Sequence, residues 1–171
     1  MSAEIIVLRL VHVLCGMLWV GAMVFMSAFL MPALQQVGPA AGAVMGALQR
    51  RRLMTFMPVV ATLTLLSGFR LYWIMSDGLA AAYVESPVGI TFGVAGLLAT
   101  VGFVLGLAVA RPAMARAGAL AQRVASAPEA ERAALQAEMA GLRQRGRAAS
   151  LAVATLVVLA AVGMAVARYL T

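Results

Sequence analysis

The chain has one cysteine, one histidine, six acidic residues and no lysine; all thirteen of its basic residues are arginine. A lone cysteine excludes an internal disulfide. With no CxxC or paired Cys/His motif, the usual zinc sites are excluded by shortage of ligands. Charge is scarce as well. Charged residues make up 11% of the chain and hydrophobic ones 64%, against about 25% and about 45–50% in soluble domains. That balance excludes an ordinary soluble fold and points to a single polytopic membrane domain over residues 1–171. A formal charge of +7 would suit a nucleic-acid partner only as a basic face on a water-soluble module. Here the arginines fall between apolar runs, so membrane topology accounts for them and no nucleic-acid partner is expected.

What the chain has in abundance is apolar length. Four runs reach the roughly 20 residues needed to cross about 30 Å of hydrocarbon, at 5–31, 53–75, 88–110 and 149–169. The expected fold is all-α: an integral membrane four-helix bundle embedded in lipid, with a helical hairpin over 111–147 between spans three and four. The first run is too long for a signal-peptide core and follows Glu4 rather than a basic cluster, so it is expected to be retained. Pro32, Gly38 and Pro39 are expected to break the first helix, and Ala40 to Arg52 to form a short interfacial helix. Pro58 is expected to kink span two. In span three, Gly89, Gly93, Gly96 and Thr100 make one small-residue stripe suited to close packing. Span four reads as alanine- and valine-rich scaffolding. Ser126-Ala-Pro-Glu129 matches a capping box that would start the second hairpin leg, with Leu135, Met139 and Leu142 as its seam.

Orientation follows from the arginines. The connection 32–52 carries three, 111–147 carries seven and 76–87 none. Loops rich in arginine stay in the cytoplasm, so the hairpin is expected to be cytoplasmic and both termini outside. His12, early in span one, and Arg70, late in span two, then share the outer third of the membrane.

Ionisable groups in a membrane segment are costly and need a reason. His12, Gly16, Trp19, Met23, Met26 and Leu30 share one face of span one, with Cys15 at its edge. Neutral imidazole ligates haem iron or copper, and methionine sulfur suits haem iron or Cu(I). Arg70 shares a face of span two with Leu63, Leu66, Trp73 and Asp77, and a guanidinium there could neutralise an anionic headgroup or a haem propionate. Plainer readings stand beside these. His12 would hydrogen-bond a neighbouring helix, Arg70 would snorkel to the interface or meet Asp77, and Trp19 and the methionines would be packing. Cys15 would be an inert buried thiol. No complete acid/base or nucleophile set is present, so no enzymatic activity is assigned.

The stretch LRLVHVLCGMLWVGAMVF contains H-x3-G-x2-W-x-G, here His12, Gly16, Trp19 and Gly21. It resembles the opening helix of a group of small bacterial membrane proteins. That group includes the copper-resistance D-like family, the haem-linked protoporphyrinogen oxidases and related uncharacterised four-helix proteins. SGFRLYWIMSDG, SPVGI and ARPAMAR look most like the uncharacterised members, and the likeness covers about the first 120 residues. The resemblance implies an inner-membrane four-helix bundle with His12 as a haem b or copper ligand. Site residues on that reading are His12, Gly16, Trp19, Met23 and Arg70 for a cofactor. For a metal they are His12 with Met23, Met17 or Cys15. With no second histidine, haem would need His/Met ligation, an open sixth position or a homodimer sharing His12. The leading expectation is a membrane protein that binds haem b, or another redox cofactor, through His12; the alternatives are a copper-handling membrane protein and a non-catalytic assembly or stabilising component with a membrane partner protein.

Overall fold

Ser2 opens the first helix: its Oγ accepts from the Ile5 N–H at 3.4 Å, and Glu4 in the first turn complements the helix dipole. In the computed structural model, which describes residues 2–170 and of Pro39 the backbone alone, this helix runs on through Pro32. We name it α1 (Ala3–Gln36). The expected break at Pro32 does not occur. A proline ring crowds the carbonyl four residues back, and the backbone relieves this by widening over Met26–Leu30 into a π turn, where Met31 N–H bonds to Met26 O. The helix ends where Gly38 takes φ 61°, a backbone state open to glycine. The same device recurs downstream. A π turn over Gly106–Ala110 precedes Pro112, with Arg111 N–H bonded to Gly106 O.

The short helix α2 (Ala41–Arg50) leads to α3 (Leu53–Met75), which contains Pro58. A tight turn follows, with positive φ at Asp77, Gly78 and Leu79. It is held by Ser76, 1% exposed, whose Oγ accepts from Leu79 N–H at 2.9 Å. One helical turn, α4 (Ala81–Val84), precedes α5 (Pro87–Ser126). Ser86 caps α5, accepting from Gly89 N–H at 3.1 Å, with Pro87 at the first helical position. Gly89 is required there, because a Cβ would stand 1.9 Å from Tyr83 O.

The last helix, α6, runs unbroken from Glu129 to Val166, 38 residues. At about 1.5 Å per residue it is roughly 57 Å long, nearly twice the hydrocarbon thickness. Spans three and four are thus continuous with the hairpin legs, with no break near 110 or 149. The capping box at Ser126 does not form. Ala127 precedes a proline and is therefore pushed out of the helical region; it sits at ψ 147° and Pro128 at ψ 151°. Ser126 is left on the helix before the turn, where its Oγ bonds to Arg123 O at 3.3 Å. Arg132 ties the turn instead, through Ala127 O at 2.9 Å and Glu129 at 2.9 Å.

Among the described residues there is no strand, and four helices are long and apolar enough to cross a bilayer. They form a ring in which α1 packs chiefly on α3, and α5 chiefly on α6; α1–α6 and α3–α5 are the looser sides. The interior is made of small side chains: Ala61, Ala95, Ala99, Val153, Val157 and Ala160 surround Trp19 and Val60. The large ones point outward, among them Leu14, Met17, Phe25, Phe29, Leu66 and Leu97. That inversion of the water-soluble pattern suits helices that associate in lipid by close packing. Helix hydroxyls are satisfied locally: Thr64, Thr100 and Thr155 each bond to the carbonyl four residues back.

The tight face of α5 is Ala95, Ala99 and Gly102 against α6, where a Cβ on Gly102 would lie 3.4 Å from Val157 Cγ1. It is not the expected Gly89–Gly93–Gly96–Thr100 stripe. Gly89 and Gly93 meet Tyr83 and Tyr72, and a Cβ on Gly96 would meet nothing.

Candidate functional site

His12 stands on the face of α1 that meets α3, at the level of Thr64, Ser67 and Gly68. Its Nδ1 lies 2.8 Å from Thr64 O. A carbonyl only accepts, so Nδ1 carries the proton. Ser67 Oγ is 3.5 Å from the same nitrogen, but its own hydrogen goes to the carbonyls of Leu63 at 2.5 Å and Thr64 at 3.1 Å. In the neutral ring, Nε2 therefore keeps a free lone pair. That nitrogen faces Met164 Sδ of α6 at 3.4 Å. Room for the ring comes from Gly68: a Cβ there would be 2.7 Å from His12 Cε1 and 3.0 Å from Nδ1. Fixing one imidazole nitrogen on a backbone carbonyl is how proteins orient the other toward a metal.

Toward the N-terminal end the α1–α3 seam is closed by an ion pair. Arg70 donates from Nε at 2.8 Å and from Nη2 at 2.7 Å to the same Glu4 oxygen, Oε1. Both side chains are half exposed. Arg70 therefore spends its guanidinium on a carboxylate, and Asp77 is not its partner. Below the pair, a shallow groove of about 310 Å³ lined by Gly16, Met17, Val20, Gly21 and Ala161 opens to the outside of the bundle between α1 and α6. Gly16 is one turn from His12 and Ala161 about one turn from Met164, but neither His12 nor Met164 lines the groove.

The residues singled out from sequence divide as follows. His12 is half-buried in the seam, and Gly16 packs there on Thr64. Trp19 is 5% exposed and meets Phe103 edge-on at 6.3 Å. Cys15 and Met23 pack against the core cluster around Trp19. Met17 points out of the bundle, 68% exposed. The groups that touch or seat the imidazole are Thr64, Ser67, Gly68 and Met164, none of them singled out from sequence. Depth was the signal that could have found Met164. It lies five residues from the C-terminal end of span four, as His12 lies seven from the N-terminal end of span one.

Among the described residues no group of three or more His, Cys, Asp or Glu side chains could hold a metal. The imidazole–thioether pair is soft, suited to Cu(I) or haem iron rather than to hard cations. At the connecting end of α3, Tyr72 donates to Gly89 O at 3.1 Å and meets Tyr83 edge-on at 5.8 Å. Tyr83 Oη is buried with no hydrogen-bond partner, and burial, with Tyr72 beside it, pushes its phenol above the ordinary value of 10.0.

Comparison with family models, with curated proteins and with solved structures gives no match.

Proposed function

We propose that this chain is an integral protein of the bacterial inner membrane, with its hairpin in the cytoplasm, and that it binds a soft metal, Cu(I), between His12 and Met164. Four apolar helices support the membrane setting, and the arginine distribution supports the orientation. The observation that carries the metal reading is the lone pair of Nε2 facing a thioether at 3.4 Å. At that distance the imidazole nitrogen and the thioether sulfur would be the two groups that hold the ion. When bound, copper would supply one-electron exchange or simple storage of a soft cation. The chain's own residues hold the imidazole in one tautomer and shape the seam through Gly68.

Haem b is the second reading, favoured by the same tethered imidazole. His12 would hold the iron, and Met164 would have to move away from Nε2 to admit it. The two readings part in one experiment. Protein purified in detergent under reducing conditions is titrated with Cu(I) against a chromogenic chelator, and its absorption spectrum is recorded after haem-replete expression. One Cu(I) per chain is expected, lost in His12→Ala and weakened at least about tenfold in Met164→Leu. A Soret band that vanishes in His12→Ala would establish haem instead. Colourless protein that takes up no more copper than His12→Ala would refute both.

A further inference from the structure

The arginines at the hairpin end of the bundle are sorted by height. Gly146 of α6 packs on Ala113 and Met114 of α5: a Cβ there would lie 3.5 Å from Ala113 Cβ and 2.9 Å from Met114 Sδ. That contact puts Arg111, Arg116, Arg143, Arg145 and Arg147 near one level, at the foot of the hairpin. Arg147 reaches the end of α1, donating from Nη1 to Gln35 Oε1 at 3.2 Å, and Arg143 stands one turn away on the same flank. Arg50, Arg51 and Arg52 close α2 at the same end of the bundle. All eight are exposed, and among the described residues none has a carboxylate partner. The three acids of the hairpin, Glu129, Glu131 and Glu138, sit farther out along α6, and Glu129 is already paired with Arg132. At about 1.5 Å per residue, Glu138 lies roughly 12 Å beyond the Gly146 contact and Glu131 roughly 23 Å. Both exceed the screening length of about 8 Å at physiological salt; Arg143 alone, about 7.5 Å along the helix from Glu138, has an acid of the hairpin within it. The foot thus carries a large excess of guanidinium groups and the tip is near balance.

We infer that this foot is a binding collar for the headgroup phosphates of anionic phospholipids. Its level matches where the apolar spans end, which is where phosphates lie. Guanidinium groups take phosphate oxygens in two-pronged hydrogen bonds, and every cation here is an arginine. Beside the collar, α2 is a helix with a half-exposed apolar side, Val44 being 41% exposed, ending in the arginine triplet. Such helices lie flat at the headgroup boundary. The collar rests on the spans crossing a bilayer and is independent of any metal at His12.

The test uses the full chain reconstituted in mixed bilayers of phosphatidylglycerol and phosphatidylcholine. Spin-labelled versions of the two lipids give their relative association at the protein surface, at low and high salt. Wild type is expected to prefer the anionic lipid several-fold at low salt, and less at high salt. Arginines near the surface attract anionic lipid, so Arg143→Gln/Arg147→Gln should lower the preference at least about threefold. Arg50→Gln/Arg51→Gln removes the same charge without touching the α5–α6 contact, and should also lower it. Arg123→Gln/Arg132→Gln, which removes equal charge near the tip of the hairpin, should leave it within experimental error. No anionic preference in wild type, or an equal loss in collar and hairpin variants, would overturn the proposal.

Discussion

The two tight helix pairs of the bundle are built from different materials. The α5–α6 seam is almost entirely alanine, glycine and valine: Ala95, Ala99 and Gly102 against Val153, Val157 and Ala160. The α1–α3 seam carries His12, Thr64, Ser67 and the Glu4–Arg70 pair. In lipid there is little hydrophobic gain from joining helices, so both seams depend on close approach. The first achieves it with bare backbone-sized surfaces. The second uses glycine, at Gly68, to seat one polar ring. The difference teaches that packing and chemistry are kept on separate helix pairs, except at Met164, which the packing pair contributes to the polar one.

That division can be broken on purpose. The largest effect is expected from Gly68→Leu, whose side chain would occupy the place of the imidazole. Cu(I) affinity, or Soret absorbance if haem is the ligand, should fall by about tenfold to a hundredfold, as when a metal's supporting contacts are lost. Retained affinity would mean that the ring is not held against α3. Next comes Gly102→Val in the other seam. Crowding Val157 should cost about 1–3 kcal/mol of stability, read in a detergent unfolding assay, while metal affinity stays as in wild type. A matching loss of affinity would show that the two seams are not separable. Tyr83→Phe should stabilise by about 1 kcal/mol, since a buried unpaired hydroxyl costs about that much or more. The sign with pH follows from the raised phenol. The folded state favours neutral Tyr83, so its stability holds below the ordinary tyrosine range and declines as pH rises from about 10 through the raised value. The Phe variant should lack that alkaline decline. Smallest is Arg70→Gln, a half-exposed pair worth about 0.2–1 kcal/mol, with added salt narrowing the gap to wild type.

Much of the scaffold was legible in advance because hydrocarbon thickness fixes span length. All four runs are helical, and both hairpin legs continue from the spans beside them. The local rules failed where neighbours overrode them. Pro32 was read as a helix end, but the π turn before it removes the clash and the helix continues. Ser126 was read as a cap, but Pro128 keeps Ala127 from starting a helix. The small-residue stripe of span three was drawn through its glycines, whereas alanines serve as well where Val153 and Val157 fill the space. His12 stood out as the only histidine. Its surroundings did not, because they come from three helices and from residue types common in any membrane span. Met164 is one of twelve methionines, and Glu4 drew no notice as a partner because it lies 66 residues from Arg70. Periodicity assigns faces within one helix; only matching depths across spans would have joined these.

The unbroken course of α6 has a mechanical corollary. From its contact at Gly146, the helix extends 17 residues to Glu129 in one direction and 18 to Met164 in the other, or about 26 and 27 Å. The arm that carries the sulfur is itself held on α5, where Gly102 meets Val157 and Gly163 meets Ala95. The sulfur is thus placed by the α5–α6 pair as a unit, and it shifts only when α5 shifts with it.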